Sequence, residues 1–184
     1  SPLPGRGWAG TSGVRHRFFK AQEKPERRLF AASVAAARHV TFFRDMGVAD
    51  TVDGRFEMIV LHLFLVLSRL KHEGVEGLRQ DLTDEFFGDM DGSLREMGVS
   101  DVTVGKKVRK LAESYYGRVM AYDKAFVSRE LLEEAIRRNV YPDGAIAGCV
   151  QALADYVLAA KEAPATLPVE TTKHAGVDVP GTSG

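Results

Sequence analysis

The densest apolar run lies between Phe56 and Leu67, where only Glu57 and His62 interrupt hydrophobic positions. Extended to Asp53–Glu73, DGRFEMIVLHLFLVLSRLKHE, it predicts a helix hydrophobic on most of its circumference, which protein or lipid must cover. Its unbroken apolar segments fall far short of the ~20 residues that span a bilayer. Arg55, Arg69, Lys71 and His72 read as solvated ends, so 53–73 is expected to be the buried centre of a helical bundle.

Helical spacing recurs on both sides of it. Leu29, Ser33, Ala36, Val40 and Phe43 predict one helix over Leu29–Met46, stopped by Gly47. Asp50 to Asp53 offers N-caps for the central helix, and Gly74 breaks it. Leu78, Leu82, Phe86, Met90, Leu94 and Met97 mark a third helix over Val75–Met97. Val104, Val108, Leu111, Tyr115, Val119 and Tyr122 mark a fourth over Val102–Phe126. Ser128 caps a fifth over Arg129–Asn139, with Leu131, Leu132, Ala135 and Ile136 inward. After the turn Tyr141-Pro142-Asp143-Gly144 comes a sixth over Ala145–Lys161, packing through Ile146, Cys149, Val150, Leu153, Val157 and Leu158. No segment alternates with period two. The expected fold is all-α: a single-domain bundle of about six helices around 53–73.

Composition adds the ends. Residues 1–13 are rich in Gly, Pro and Ser, and Gly10–Gly13 (GTSG) recurs at Gly181–Gly184, so both termini are set aside from fold reasoning. The expected organisation is a flexible basic arm (1–28), a helical domain (29–162) and a disordered tail (163–184). In the arm, Arg15, Arg17 and Lys20 surround Phe18 and Phe19, a pattern that suits an anionic membrane surface or an RNA backbone, or simply a solvated segment. Lysine plus arginine equals aspartate plus glutamate at 25 each, so overall charge gives no reason to expect DNA.

Candidate chemistry is sparse. His62 lacks ligand partners one turn on, where Leu65 and Val66 stand, and reads as a hydrogen-bonded core histidine, with a metal or haem ligand as the alternative. Asp81, Asp84, Glu85, Asp89 and Asp91 have neither EF-hand order nor a Glu-x-x-His motif. They read as a solvated face or a docking face for a basic partner. The basic residues Lys106, Lys107, Arg109 and Lys110 need a nearby acidic face, which the preceding helix would supply. Cys149, the single cysteine, lies on an apolar stripe and reads as a core residue. There is no G-x-S-x-G and no glycine-rich phosphate loop, so the chain reads as a non-enzyme without metal or cofactor.

Five segments carry a resemblance. They are GV-x-DT-x-DGRF at Gly47–Phe56, LH-x-FLVL-x-RL at Leu61–Leu70, FF-x-DMD-x-x-LREMGV at Phe86–Val99, GKKVRKLAE-x-YYGR at Gly105–Arg118, and AYD-x-AF at Ala121–Phe126. In this order and spacing the chain resembles the ubiquinol–cytochrome c chaperone family, in its bacterial form. The resemblance implies a non-enzymatic assembly factor that holds newly made cytochrome b during assembly of the respiratory bc1 complex. It also implies a small partner chaperone subunit, contact with the ribosome, and a place in the cytoplasm at the inner membrane, or on the matrix side in mitochondria. The client or partner surface it implies takes in Asp89, Asp91, Lys106, Lys107, Arg109, Tyr115 and Tyr116, and Phe86, Phe87 and Met90 are apolar candidates to line its groove, or plain core. Met46, Met58, Met97 and Met120 are further apolar residues for such a groove, or plain core. Two other readings stand beside it: a helical carrier of haem or lipid using His62, and a ribosome- or RNA-binding factor using the arm and Lys106–Lys110.

Overall fold

The central helix forms because both of its ends are built to begin and stop it. In the computed structural model, which describes residues 23–162, it spans Val52–Glu73. Thr51 is the N-cap, its hydroxyl accepting from the Gly54 N–H at 3.1 Å. Gly74 ends the helix at φ 75°, where a side chain would be strained, and its N–H bonds the Leu70 and Lys71 carbonyls.

The described residues form seven helices: α1 (Pro25–Ala37), α2 (Val40–Arg44), α3 (Val52–Glu73), α4 (Glu76–Glu96), α5 (Asp101–Ala125), α6 (Arg129–Val140) and α7 (Cys149–Glu162). The all-α expectation holds, and no strand occurs among these residues. Helix α3 packs against α1, α4, α5, α6 and α7, so its apolar circumference is covered by protein. Its Val60, Leu63, Leu67 and Leu70 join Leu29, Phe30, Leu82, Phe86 and Tyr115 in one apolar cluster. Its Met58, Leu61 and Phe64 join Phe42, Met46, Tyr122, Leu132, Ile136, Leu153 and Val157 in another.

That division explains the main departure from the expected helices. The chain over Leu29–Met46 is two helices, not one, and the first begins at Pro25. Leu29 and Phe30 serve one cluster and Phe42 and Met46 the other, so the chain must change direction between them. His39 caps the second piece, its Nδ1 accepting from the Thr41 N–H at 3.3 Å. Val40, expected inward, is left exposed, as are Leu131 and Ile146. The sixth expected helix starts four residues late, at Cys149, because Gly148 adopts φ 88°.

Gly54 is required by close approach rather than by its dihedrals. A Cβ there would lie 1.9 Å from the Ala49 carbonyl oxygen, which belongs to rigid backbone. Gly54→Ala should therefore lower unfolding free energy by about 1–3 kcal/mol, as overpacking does. A urea midpoint unchanged by the substitution would refute this.

Candidate binding surface

Helices α4 and α5, joined by residues 97–100, form a hairpin whose near end is rooted in the core. Leu82 and Phe86 from α4 and Tyr115 from α5 are buried against α1 and α3. Phe86 stacks on Tyr115 with ring centroids 5.0 Å apart, and it also meets Phe87 at 5.3 Å and Phe30 and Phe56 at 6.3 Å. The Tyr115 hydroxyl lies 3.3 Å from the Thr83 hydroxyl, and burial raises its pKa.

From this root the aromatic series continues outward. Phe87 is half-buried and contacts Tyr116 at 5.9 Å, while Tyr115 contacts Tyr116 at 5.2 Å. Tyr116 is 50% exposed, and one turn further along the same face Met120 is 57% exposed. Of the surface expected from the sequence, Phe86 and Tyr115 are core residues that support it rather than form it. Phe87, against Tyr116, and Met90, packed on the apolar cluster, are half-buried, and Tyr116 is presented to solvent. Met120 belongs beside Tyr116, while Met46 and Met58 are fully buried.

The charged residues are arranged differently from the expectation. Asp91 pairs with Arg95 at 2.6 Å, and Arg95 also holds Asp101. Asp89, Lys106, Lys107, Arg109 and Lys110 are exposed, and none of the five makes an ion pair among the described residues. The acidic helix thus does not neutralise the basic stretch; adjacency of two helices does not make their polar faces meet. From 87 to 114 the hairpin contains one buried residue, Val104. Gly88, Gly92, Gly105 and Gly117 lie in these two helices with open space where a side chain would stand. Arg15, Arg17, Phe18, Phe19 and Lys20 lie outside the described residues.

An ion pair fixes the hairpin root to the central helix. Arg118 Nε donates to the two Glu57 carboxylate oxygens at 3.0 and 3.2 Å, and Nη2 donates at 2.9 Å. Desolvation raises the Glu57 pKa, Arg118 opposes that rise, and Asp53 adds to it. The sequence carried a signal for this pair in the lone carboxylate within the apolar run.

His62 is used for packing. Its Nδ1–H donates to the Met58 carbonyl at 2.7 Å, and its Nε2 accepts from the Tyr156 hydroxyl at 2.7 Å. Both ring nitrogens are engaged, so neither presents a free lone pair to a metal or haem iron. Among the described residues no three His, Cys, Asp or Glu side chains gather as metal ligands. Burial pushes the imidazole pKa down to about 4 from 6.5. The neutral ring therefore contributes stability above pH 6.5, and this is lost as pH falls from 6.5 toward 4, where only the unfolded chain takes the proton. The loss is on the order of 3 kcal/mol. His62→Gln should flatten urea stability against pH in that window; an unchanged slope would assign the acid sensitivity elsewhere.

The class defined here is an all-α scaffold whose histidine at 62 and buried Cys149 are consumed in packing and whose exposed face is a rooted aromatic and methionine surface. Residues 44–175 match the ubiquinol-cytochrome C chaperone family model, and the chain belongs to that family. It is 39% identical to the Cbp3 homolog from Brucella abortus, whose crystal structure superposes with a TM-score of 0.66 over 82% of this chain and 85% of that one. It is 26% identical over 116 residues to ubiquinol-cytochrome-c reductase complex assembly factor 1 of Xenopus laevis, covering 61% of this chain. The Drosophila melanogaster protein of the same name is 28% identical over 142 residues, covering 68% of this chain. The matched parts span 58% and 55% of those two relatives. No helix among the described residues is long and apolar enough to cross a membrane.

Proposed function

We propose that this protein is a non-enzymatic assembly chaperone that binds newly made cytochrome b and assists assembly of the ubiquinol–cytochrome c reductase complex, working peripherally at the inner membrane. Family membership supports the assembly role, and the relatives named as assembly factors of that complex support the destination. The observation that carries the binding reading is the exposed Tyr116–Met120 face backed by buried Phe86 and Tyr115. Aromatic and methionine side chains supply apolar contact that adapts to different segments of a membrane protein client. Because their base is rigid, little ordering cost falls on the surface when a client docks.

The test is capture of cytochrome b translated in detergent micelles, by purified full chain carrying Tyr116→Glu and Met120→Glu. The expected result is at least about a tenfold fall in crosslinked cytochrome b, since loss of an interfacial anchor commonly costs that much. A melting temperature unchanged by the substitutions secures the comparison, both positions being half exposed or more. Equal capture by variant and parent would move the client site off this face. Equal capture of an unrelated membrane protein would remove the specificity for cytochrome b.

A further inference from the structure

We propose that the free end of the α4–α5 hairpin is a membrane-docking element, with Met97 and Val102 entering the interface and Lys106, Lys107, Arg109 and Lys110 engaging anionic lipid headgroups. The proposal rests on the reading above that the protein works beside a membrane, and it assigns that contact to a site.

Three observations converge on this end of the molecule. First, the turn exposes aliphatic side chains that no helix covers: Met97 is 77% exposed and Val102 73%. Both sit at the turn end of the hairpin, beyond Phe86, the last buried residue of α4. Second, four cations follow within α5. At 100° per residue they occupy an arc of about 160°, opposite buried Val104 and half-buried Val108 and Leu111. All four are exposed on the side of α5 away from that stripe, with Lys107 nearest its border. Third, these cations make no ion pair among the described residues. Three carboxylates lie nearby, and none of them pairs with these cations among the described residues. Asp101 is held by Arg95, Glu96 is exposed beside Met97, and Glu113 follows a turn beyond Arg109. From Arg95 to Glu113 five cations stand against three carboxylates.

The vertical spacing suits a bilayer surface. At 1.5 Å per residue, Lys106 lies about 6 Å and Lys110 about 12 Å along the axis from Val102. A headgroup layer is roughly 5–7 Å deep, so Val102 can reach the acyl boundary while lysine stems extend their charges into the phosphates. RNA fits the tip less well, because its bases seek aromatic platforms and the exposed aromatic side chain among the described residues of this helix, Tyr116, is about 15 Å along it from Lys106.

The experiment is co-sedimentation of the full chain with vesicles of phosphatidylcholine alone or with about one-third phosphatidylglycerol, at low and high salt. Binding should require the anionic lipid and fall with salt. Lys106→Glu with Lys107→Glu should lower vesicle partitioning by about tenfold or more, each basic residue near the surface contributing several-fold. Met97→Ser with Val102→Ser should remove the binding that survives high salt, whereas Arg15→Glu with Arg17→Glu and Lys20→Glu should leave tip-dependent binding in place. Partitioning lost in the arm variant and intact in both tip variants would overturn the proposal. So would tip-dependent binding of an unrelated RNA oligonucleotide without vesicle binding. Capture of cytochrome b in detergent contains no vesicle, so loss of one activity with retention of the other separates this proposal from the chaperone reading.

Discussion

Phe86→Ala should lower the unfolding free energy by about 3–5 kcal/mol, the usual cost of deleting a buried ring whose site cannot collapse. Phe86 is fully buried and touches four other aromatic rings from α1, α3, α4 and α5, so its removal leaves a void walled by several elements. A urea titration reads this directly, and a loss under about 1 kcal/mol would mean the neighbouring rings refill the space. The same substitution should also weaken cytochrome b capture although Phe86 never reaches the surface. Phe87 and Tyr115 lose the ring they pack on, and Tyr116 stands on those two. Phe86→Leu, which keeps apolar volume at the site, should restore much of both.

Arg118→Ala should cost about 2–4 kcal/mol, near the low end expected when a buried charge loses its partner, because Arg118 is itself a third exposed. What remains is Glu57, with a side chain only 10% exposed and no guanidinium to offset its desolvation. Its pKa is already raised with Arg118 present and rises further without it. A carboxyl whose folded pKa lies above its unfolded value destabilises the fold once it ionises, so the deficit is full at high pH. It shrinks as pH falls through the folded pKa, where the neutral acid tolerates burial. Measured as parent minus variant, which cancels the His62 contribution, the gap should narrow on acidification; a gap constant from neutral to acid pH would deny that Glu57 is the cause. Glu57→Leu with Arg118→Met should recover most of the stability, since well-packed apolar residues replace buried pairs at little cost.

Local rules were strong where the answer depends on neighbours in sequence. Helix α3 was legible because its apolar circumference, Thr51 and Gly74 all lie within one stretch. Spacing also placed Phe86 and Tyr115 on inward stripes, and the structure buries both. What could not be read is long-range. Glu57 meets an arginine 61 positions away, and His62 meets a tyrosine 94 positions away. Neither partner is marked by local pattern. The break at Arg38–His39 has no glycine or proline; it follows from the need to serve two clusters, a tertiary demand. Likewise the cations of α5 were expected to meet the acids of α4. Arg95, one residue inside the end of α4, takes Asp91 and Asp101 instead. The surface was therefore half visible. Tyr116 and Met120, four apart on one expected helix, were both legible as candidates, while their exposure and the aromatic support beneath Tyr116 needed the fold.

The glycines of the hairpin carry one more consequence. Gly88, Gly92, Gly105 and Gly117 fill no tight space, and each weakens its helix by about 0.5–1 kcal/mol relative to alanine. They fall in or beside the stretch that buries only Val104, so unwinding there forfeits little apolar contact. The hairpin is thus graded along its length, with strong cooperativity at the Phe86–Tyr115 root and a low cost of local opening toward Met97. Whatever surface meets that free end can set its degree of order, while the root keeps its register on the central helix.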